Sequence, residues 1–456
     1  MDGMIGPPPG GEREGHCPAC ARPLWQGDHL TGLADRLEFR ARLKEALSPN
    51  QPCDRSAREK RREVVVLLVD LDRFKSVNDS LGHAAGDALL RHVGQRLRGL
   101  LRQQDIAARM GGDEFAVLLG SPASQEAVVG IAGRLVDLLG RSYLVEGRIA
   151  NVGASVGIAV VPPGLDVDSV LRRADLALYK SKEGGRQRFH FFEPSLQEAA
   201  EERQRLEFDL RAALALNQFE LFYQPQFHLH SQQLSGFEAL IRWRHPVRGL
   251  VPPDRFIPLT EELGLITPIG EWVIHEACAE AVRWGGKLSV AVNVAPAQFI
   301  GGSLLPVVTK ALKATSLPGP LLELEITETA LLHDSGFTLQ QLSALKALGV
   351  RISLDDFGTG YSSLTQLRRF PFDKVKIDRS FADDSAVVRA VAALGTSLGI
   401  RITAEGVETA EQMMRIREDG CTEAQGYLLS KPVPAVDVPK LIARFTDAGH
   451  TSERLP

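Results

Sequence analysis

Residues 205–445 alternate short apolar segments with stretches of helical periodicity, and this alternation restricts the possible folds more than any other feature of the chain. The apolar segments that are strand candidates are 219–223, 236–239, 288–292, 321–326, 350–354, 374–377, 400–404 and 424–428. Eight strands separated by helices over ~250 residues are typical of a (β/α)8 barrel. The sequence therefore predicts a TIM-type barrel, in the α/β class, for this part of the chain.

Polar residues stand at or near the ends of these predicted strands. They are Gln224, Glu238, Asn293, Glu325, Glu328, Asp355, Asp356, Lys376, Glu405 and Gln425. Because the carboxyl ends of barrel strands meet on one face, we expect these side chains to lie close together. One aspartate of the Asp355-Asp356 pair could simply cap the next helix, but so many acids on one face would repel one another without cations between them. Hard oxygen ligands in this number predict two Mg²⁺ or Mn²⁺ ions, which can activate water against a phosphodiester.

A second set of carboxylates lies in residues 28–192. The apolar strand 64–69 ends in Asp70, and a predicted hairpin carries Asp113 directly after the Gly111-Gly112 turn. A Gly-Gly turn allows positive φ and lets backbone N–H groups approach a phosphate closely, although by itself it is only a turn. With Asp113 beside Asp70 across a sheet, the pattern predicts a divalent-metal site. Lys182, one helical turn before another basic residue, suits an anionic oligophosphate.

Composition and charge narrow the cellular setting. The 456 residues carry a formal net charge of -4, so no basic surplus indicates nucleic-acid binding. No run of about 18 apolar residues predicts a membrane span, and the N-terminus lacks the pattern of a signal peptide. Five scattered cysteines favour a reducing compartment over a disulfide framework. We therefore expect a cytoplasmic protein.

The remaining segments are expected to be connections. Residues 1–27 form a Gly/Pro-rich leader, predicted to be flexible, that contains Cys17-x-x-Cys20. Two cysteines supply half of a zinc site, which His16, Cys53 or a second protomer could complete; otherwise they are free thiols. Residues 193–216 read as a connecting helix that partly forms the first barrel helix, and 446–456 as a tail.

The first half carries the motifs of a known family. Residues 111–115 read Gly-Gly-Asp-Glu-Phe, and matching motifs surround them: Asp70-Leu71-Asp72, Asn78-Asp79, Gly82-His83, Gly86-Asp87 and Lys182 with Gly185-Arg186. Residues 28–192 thus resemble the GGDEF domains of diguanylate cyclases, which join two GTP molecules into cyclic di-GMP. The resemblance implies a palm-like α/β sandwich that works as a homodimer, each protomer presenting one GTP.

The same resemblance implies roles for individual residues. One or two Mg²⁺ or Mn²⁺ ions are held by Asp70, the Leu71 carbonyl and Asp113, with Glu114 beside Asp113 in the catalytic turn. The guanine-binding residues are Asn78 and Asp87, and the phosphate-binding residues are Lys75, Lys182 and Arg186. Arg102 and Asp105 match the family's RxxD site for inhibition by cyclic di-GMP; the plain alternative is a surface ion pair at i,i+3 spacing.

The second half resembles another family. Residues 238–240 read Glu-Ala-Leu, and further motifs follow along the domain: Tyr223-Gln224-Pro225, Val292-Asn293, Glu325-Ile326-Thr327-Glu328, Asp355-Asp356-Phe357-Gly358, Lys376-Ile377-Asp378, Glu405-Gly406-Val407-Glu408 and Gln425-Gly426-Tyr427. Residues 205–445 thus resemble EAL phosphodiesterases, which open cyclic di-GMP to linear pGpG.

The roles implied by this second resemblance again fall on residues that are present. The first metal binds Glu238, Asn293, Glu325 and Asp355, and the second binds Asp355 and Asp356. Lys376 orients the attacking water, Glu405 assists its activation, and Glu328 anchors the loop 358–363. The substrate contacts are Gln224, Arg242 and Gln425. One departure is a short connection after Asp378, near the surface through which such barrels dimerise.

These patterns favour an enzyme of cyclic di-GMP turnover with both sites complete. Hydrolysis is the favoured direction, because the barrel site lies within one protomer whereas the cyclase needs two. Three alternatives stay open: the chain is a net cyclase restrained by Arg102 and Asp105, the GGDEF domain acts only as a GTP sensor that activates the phosphodiesterase, or the chain is a non-catalytic receptor for cyclic di-GMP.

Overall fold

The computed structural model describes residues 27–48, 63–120, 124–162, 164–299, 303–331, 335–358 and 367–447, apart from 368 and 382. The cysteine pair of the leader and nearly all of the predicted leader and tail lie outside these residues. The chain divides into two compact units between Gln204 and Arg205. Within the described part of the chain, none of the helices combines the length and hydrophobicity that crossing a bilayer requires.

The first unit alternates strands and helices. In chain order its elements are α1 (Arg36–Leu47), β1 (Val64–Asp72), α2 (Phe74–Leu81), α3 (His83–Leu100), β2 (Ile106–Gly111), β3 (Glu114–Leu119), α4 (Gln125–Leu139), β4 (Tyr143–Val145), β5 (Arg148–Ala150), β6 (Gly153–Val161), α5 (Val167–Glu183) and β7 (Phe189–Phe191). Helix α6 (Pro194–Ala213), in the predicted connecting segment, continues past the boundary between the units.

A five-stranded sheet in the order β2-β3-β1-β6-β7 forms the centre of this unit. Central strand β1 is apolar along almost its whole length because both of its faces are covered. One face packs on α3 and α4 through residues such as Leu67 and Leu89, and the other packs on α1 and α5 through Val66 and Phe39. The predicted palm-like α/β sandwich is confirmed.

The second unit contains the predicted barrel. Its elements are β8 (Phe219–His228), β9 (Gln233–His245), β10 (Gly249–Val251), α7 (Pro253–Glu262), α8 (Ile266–Arg283), β11 (Ser289–Val294), α9 (Leu304–Thr315), β12 (Leu322–Thr327), α10 (Ser335–Ala347), β13 (Arg351–Phe357), β14 (Lys374–Ile377), α11 (Ser385–Leu398), β15 (Arg401–Ala404), α12 (Ala410–Glu418), β16 (Glu423–Ala424), β17 (Val433–Pro434) and α13 (Val438–Asp447).

Strands β8, β9 and β11 to β16 close into a barrel, as predicted. The first strand departs from the expected alternation, because β8 runs antiparallel to both of its neighbours, β9 and β16. The connection 229–232 is far shorter than the roughly twelve residues that a helical crossover needs, so β8 and β9 form a hairpin. The eighth predicted strand is also shorter than expected, since β16 ends at Ala424.

An ion cluster lies inside the barrel below the carboxyl ends of the strands. The Lys374 ammonium is 2.7 Å from Glu323 and 2.8 Å from Glu423, and all three side chains are at most 1% exposed. Arg401 reaches the same two acids at 3.5 and 2.7 Å. One buried and one partly exposed cation thus neutralise two buried carboxylates, which is the condition under which such charges are tolerated in a core.

This cluster makes the stability of the barrel depend on pH. Burial alone would raise the pKa of Glu423, but Lys374 and Arg401 lower it to about 2, against an ordinary value of 4.5. Because the folded-state pKa is the lower one, the stabilisation is fully present above about pH 4.5 and is lost as the pH falls towards about 2. We expect the E423Q variant to lose more unfolding free energy at pH 6 than at pH 3, measured by urea titration of both proteins. A difference between the two proteins that stays constant with pH would contradict this account.

Candidate functional site

The Lys376 ammonium lies at the centre of a group of carboxylates at the carboxyl ends of the barrel strands. Its Nζ is 2.6 Å from Glu405, 2.9 Å from Glu325 and 3.4 Å from both Glu238 and Asp355. These side chains come from five strands or their ends, and they lie close together as we expected. Burial would lower the pKa of Lys376, but the four carboxylates raise it well above its ordinary value, so the ammonium stays charged.

Hydrogen bonds fix the buried Glu238 carboxylate from both sides. Asn293 Nδ2 donates to Oε1 at 2.6 Å, and Gln425 Nε2 donates to Oε2 at 2.6 Å. Burial would raise the pKa of Glu238, but Lys376 and these two amides hold it below its ordinary value. Glu238 is therefore an ionised carboxylate, and the structure brings Asn293 and Gln425 to it as expected.

Gln224 reaches the site from the reversed strand β8. It lies opposite Glu238 in the register of β8 and β9, and its Oε1 accepts from Gln425 Nε2 at 3.0 Å. Arg242, further along β9, is only partly buried, with its guanidinium 5.6 Å from the centre of the Phe222 ring. Gln224 and Gln425 are nearly buried, at 8% and 4% exposure, so a ligand has only a small part of each side chain to contact.

Asp355, Asp356 and Glu405 form a cluster suited to a cation. Each of the three residues offers a carboxylate oxygen within 4.8 Å of those of the other two. Asp356 has a positive φ of 54°, and its N–H donates to Asp355 Oδ1 at 3.0 Å. The register between β13 and β14 shifts at this point, which lets two successive aspartates face the same site.

The electrostatics of this site favour a bound positive charge. Burial, together with Glu238 and Asp355, raises the pKa of Glu325 well above its ordinary value. Burial likewise raises the pKa of Glu405 to about 8, with Asp355 and Glu238 contributing. The Glu325 Oε1 atom is buried and has no hydrogen-bond partner within the described part of the chain. A divalent cation fits these observations, because carboxylate and amide oxygens are its preferred ligands.

The loop that Glu328 is expected to anchor lies mostly outside the described residues, so that role stays a prediction. Glu328 itself is buried and begins a short 3-10 helix after β12. Gly358, at the start of the loop, has a φ of 106°, and a Cβ there would lie 2.9 Å from Phe381. Phe381 belongs to the short connection after β14, which ends at Asp384, the N-cap of α11. The connection therefore packs against Gly358, the second residue after the two aspartates.

A second group of carboxylates lies at the end of β1 in the first unit. Asp70 pairs with Glu114 in the β1–β3 register, and Lys182 Nζ is 2.7 Å from Asp70 Oδ2. Burial, with the Asp70 charge, raises the pKa of both Asp113 and Glu114. The Leu71 N–H donates to the Asp113 carbonyl at 3.3 Å, which ties the strand end to the turn. Acids with raised pKa values beside a lysine fit a site for a divalent metal and a phosphate.

Arg109 holds the Gly-Gly turn and was not singled out from the sequence. Its Nε and Nη2 donate to the Gly112 carbonyl at 3.0 and 2.8 Å, and its Nη1 contacts Asp28 at 3.3 Å. Both glycines have positive φ, 143° at Gly111 and 53° at Gly112. The only signal in the sequence is an arginine two residues before the turn. Strand propensity alone does not distinguish this arginine from any other strand residue.

The predicted guanine-binding residues Asn78 and Asp87 lie on α2 and α3. Asn78 Oδ1 is buried without a hydrogen-bond partner in the part of the chain that the structure describes. A Cβ at Gly86 would lie 1.9 Å from this atom, so only glycine fits there. Asp87 is exposed, as are the predicted phosphate ligands Lys75 and Arg186. The Asn78 amide therefore packs closely against Gly86, and its guanine-binding role stays a prediction.

Arg102 and Asp105 border an open cleft of about 340 Å³ that Arg98 and Gly32 also line. The Asp105 carboxylate accepts from the N–H groups of Arg102, at 3.0 Å, and Gly120, at 2.9 Å. Asp105 thereby fixes the turn that presents Arg102 at the cleft.

These two sites and two folds define a tandem arrangement of a GGDEF domain and an EAL domain. The family model of the GGDEF diguanylate cyclase domain matches residues 26–188, and that of the EAL domain matches residues 207–432. The chain belongs to the family of GGDEF–EAL proteins.

Its relatives include proteins with known activities. The bifunctional diguanylate cyclase/cyclic di-GMP phosphodiesterase MucR of Pseudomonas aeruginosa is 42% identical over 420 residues, which are 90% of this chain and 60% of MucR. A solved PaMucR phosphodiesterase in complex with c-di-GMP is 44% identical, with a TM-score of 0.50, and covers 51% of this chain and 99% of that one. The S helix-GGDEF-EAL structure of Vibrio cholerae LapD shares only the fold, at 18% identity and a TM-score of 0.57, over 88% of this chain and 95% of LapD. The chain spans about half to two-thirds of the length of the curated relatives it matches.

Proposed function

We propose that the barrel hydrolyses cyclic di-GMP to linear pGpG in a metal-dependent reaction. The observation that carries this proposal is the cluster of Asp355, Asp356 and Glu405 next to the enclosed Lys376 ammonium. The PaMucR phosphodiesterase, solved with c-di-GMP, supports the choice of substrate.

The residues that would hold the metals are Glu238, Asn293, Glu325 and Asp355 for one ion and Asp355 with Asp356 for a second. Mg²⁺ or Mn²⁺ bound there would activate water and neutralise charge on the phosphodiester. Lys376 orients the attacking water, since its position is fixed by four carboxylates. The pKa of Glu405, about 8, lies close to neutral pH, so this carboxylate can take the proton of that water. Gln224, Arg242 and Gln425 bind the substrate, and Glu328 positions the loop that begins at Gly358.

We further propose that the GGDEF domain makes cyclic di-GMP from two GTP molecules as a homodimer. The carboxylates of Asp70, Asp113 and Glu114 beside the Lys182 ammonium favour this second activity. Asn78 and Asp87 would bind guanine, while Lys75, Lys182 and Arg186 would bind the phosphates. Asp70, the Leu71 carbonyl and Asp113 would hold a metal, and Glu114 would act beside them. Arg102 and Asp105 would bind cyclic di-GMP as an inhibitor. GTP as a substrate implies a cytoplasmic protein.

Three parallel reactions with purified protein and Mg²⁺ test the proposal, one with GTP, one with cyclic di-GMP and one with both, with products separated by chromatography. We expect pGpG from cyclic di-GMP, and cyclic di-GMP or pGpG from GTP. If GTP speeds the hydrolysis of cyclic di-GMP without being consumed, the GGDEF domain is a GTP sensor and not a cyclase. No turnover in any reaction, with Mn²⁺ tried as well, would leave only a receptor.

The two activities should separate in the D113N variant. The neutral amide removes one of the two carboxylates proposed to hold the metal in the first unit, so product formation from GTP should fall by about a hundredfold or more. Hydrolysis of added cyclic di-GMP should stay within about twofold of the unchanged protein. Equal loss of both activities would contradict independent sites.

A further inference from the structure

A chain of side-chain hydrogen bonds connects the buried ion cluster to the candidate phosphodiesterase site. Lys374 Nζ donates to Gln226 Oε1 at 3.1 Å, and Gln226 Nε2 donates to Gln425 Oε1 at 3.0 Å. Gln425 Nε2 then donates to Glu238 Oε2 at 2.6 Å and to Gln224 Oε1 at 3.0 Å. Together, Lys374, Gln226, Gln425 and Glu238 form a hydrogen-bonded series, the amide chain.

The chemistry of the two ends fixes the direction of every bond in the amide chain. An ammonium can only donate, so Gln226 must turn its oxygen towards Lys374 and its NH2 group towards Gln425. At the other end, Gln425 turns its NH2 group towards Glu238 Oε2 at 2.6 Å, which leaves its oxygen to accept from Gln226. Both ends therefore demand the same orientation of the two amides, and bonds aligned in this way reinforce one another.

Burial makes these orientations costly to change. Lys374 and Gln226 are each 1% exposed and Gln425 is 4% exposed. Water has little access to replace a missing partner, so a reversed amide would leave donors and acceptors unsatisfied. The two contacts of Gln425 with Gln226 and Gln224 span 199 and 201 residues, and the antiparallel pairing of β8 with β16 brings the three side chains together.

We propose that Lys374 and Gln226 are positioning residues, which fix the amide orientation of Gln425 and thereby the binding site for cyclic di-GMP. This inference rests on the proposed phosphodiesterase function. Neither residue reaches the site itself. Gln226 acts through Gln425, which in turn orients Gln224 and holds Glu238, and Gln224 Nε2 completes the pattern by donating to the Ser430 carbonyl at 3.2 Å.

Two substitutions of Gln226 separate orientation from stability. The Q226E variant keeps an acceptor for Lys374 but places a carboxylate oxygen against Gln425 Oε1, so Gln425 must reverse and lose its bond to Glu238. The Q226M variant loses both bonds but leaves Gln425 free to keep facing Glu238. The Q233E variant, at an exposed position of the same hairpin, controls for the added charge.

The measurements are cyclic di-GMP affinity, by calorimetry in EDTA, and the midpoint of thermal unfolding. We expect both Gln226 variants to unfold at a lower temperature than the unchanged protein, because each leaves buried polar groups without partners. Only Q226E should bind about tenfold more weakly, whereas Q226M should bind within about threefold of the unchanged protein. Q233E should match the unchanged protein in both measurements.

A purely structural role for Gln226 predicts instead that affinity falls in both variants in step with their loss of stability. That result, or unchanged affinity in Q226E, would overturn the inference while leaving the phosphodiesterase proposal intact. An unchanged protein that neither binds nor hydrolyses cyclic di-GMP would overturn both.

Discussion

Replacing Asp355 by asparagine is expected to slow cyclic di-GMP hydrolysis on the order of a thousandfold, the scale of loss for a group that stabilises transition-state charge. Asp355 belongs to the cluster with Asp356 and Glu405 and lies 3.4 Å from Lys376. Asp355 is the residue proposed to contact both metal ions, so the neutral amide weakens the binding of both ions. The measurement is the initial rate of pGpG formation with Mg²⁺, together with the affinity for cyclic di-GMP in EDTA.

The matched control is D254N, the same change at an exposed position on α7. It should hydrolyse at the rate of the unchanged protein. D355N should still bind cyclic di-GMP, because Gln224, Arg242 and Gln425 are untouched. A D355N protein that retains a tenth or more of the rate would remove Asp355 from the proposed site.

The largest loss of stability is expected from Lys374→Met. The substitution leaves Glu323 and Glu423 buried, with the partly exposed Arg401 beside both and His228 3.5 Å from Glu423. Removing one partner of a buried ion pair costs roughly 3–5 kcal/mol. Urea unfolding followed by tryptophan fluorescence measures this loss in the barrel, since Trp243, Trp272 and Trp284 all lie in the second unit.

Lys440→Met serves as the comparison, because the Lys440 side chain is 79% exposed and pairs with Asp437, the residue directly before α13. Such pairs contribute at most about 1 kcal/mol. If K374M and K440M lose similar free energies, the buried cluster does not stabilise the barrel in the way described.

Most of the fold and the candidate site could be predicted because their signals lie in short segments of sequence. A carboxylate directly after an apolar run, as at Asp355 or Glu405, indicates both a strand and its functional end. The β8–β9 hairpin could not be predicted from the expected strand bounds, because 219–223 and 236–239 leave about twelve residues for a crossover, whereas the observed strands leave only 229–232. The prediction treated β8 like the other strands because its apolar pattern alone does not reveal its direction.

The supporting residues are harder to find from sequence. Lys374 and Lys376 alternate along one strand, and a period of two places them on the same face, so that spacing was an available signal. Nothing local in the sequence indicates that Gln226 meets Gln425, because the contact depends on barrel closure. Arg109 likewise acquires its role only when the turn folds back on its strand.

Closure of the barrel between β8 and β16 also has a consequence for synthesis on the ribosome. Gln226 and Gln425 are separated by 199 residues, so at about 5–20 residues per second the first strand waits roughly 10–40 s for its partner. During that time β8 and β9 can pair as a hairpin, but one edge of β8 stays open to other chains. The same event that covers this edge brings Gln425 to Glu238, so a nascent barrel acquires its predicted binding site only when it ceases to be prone to aggregation.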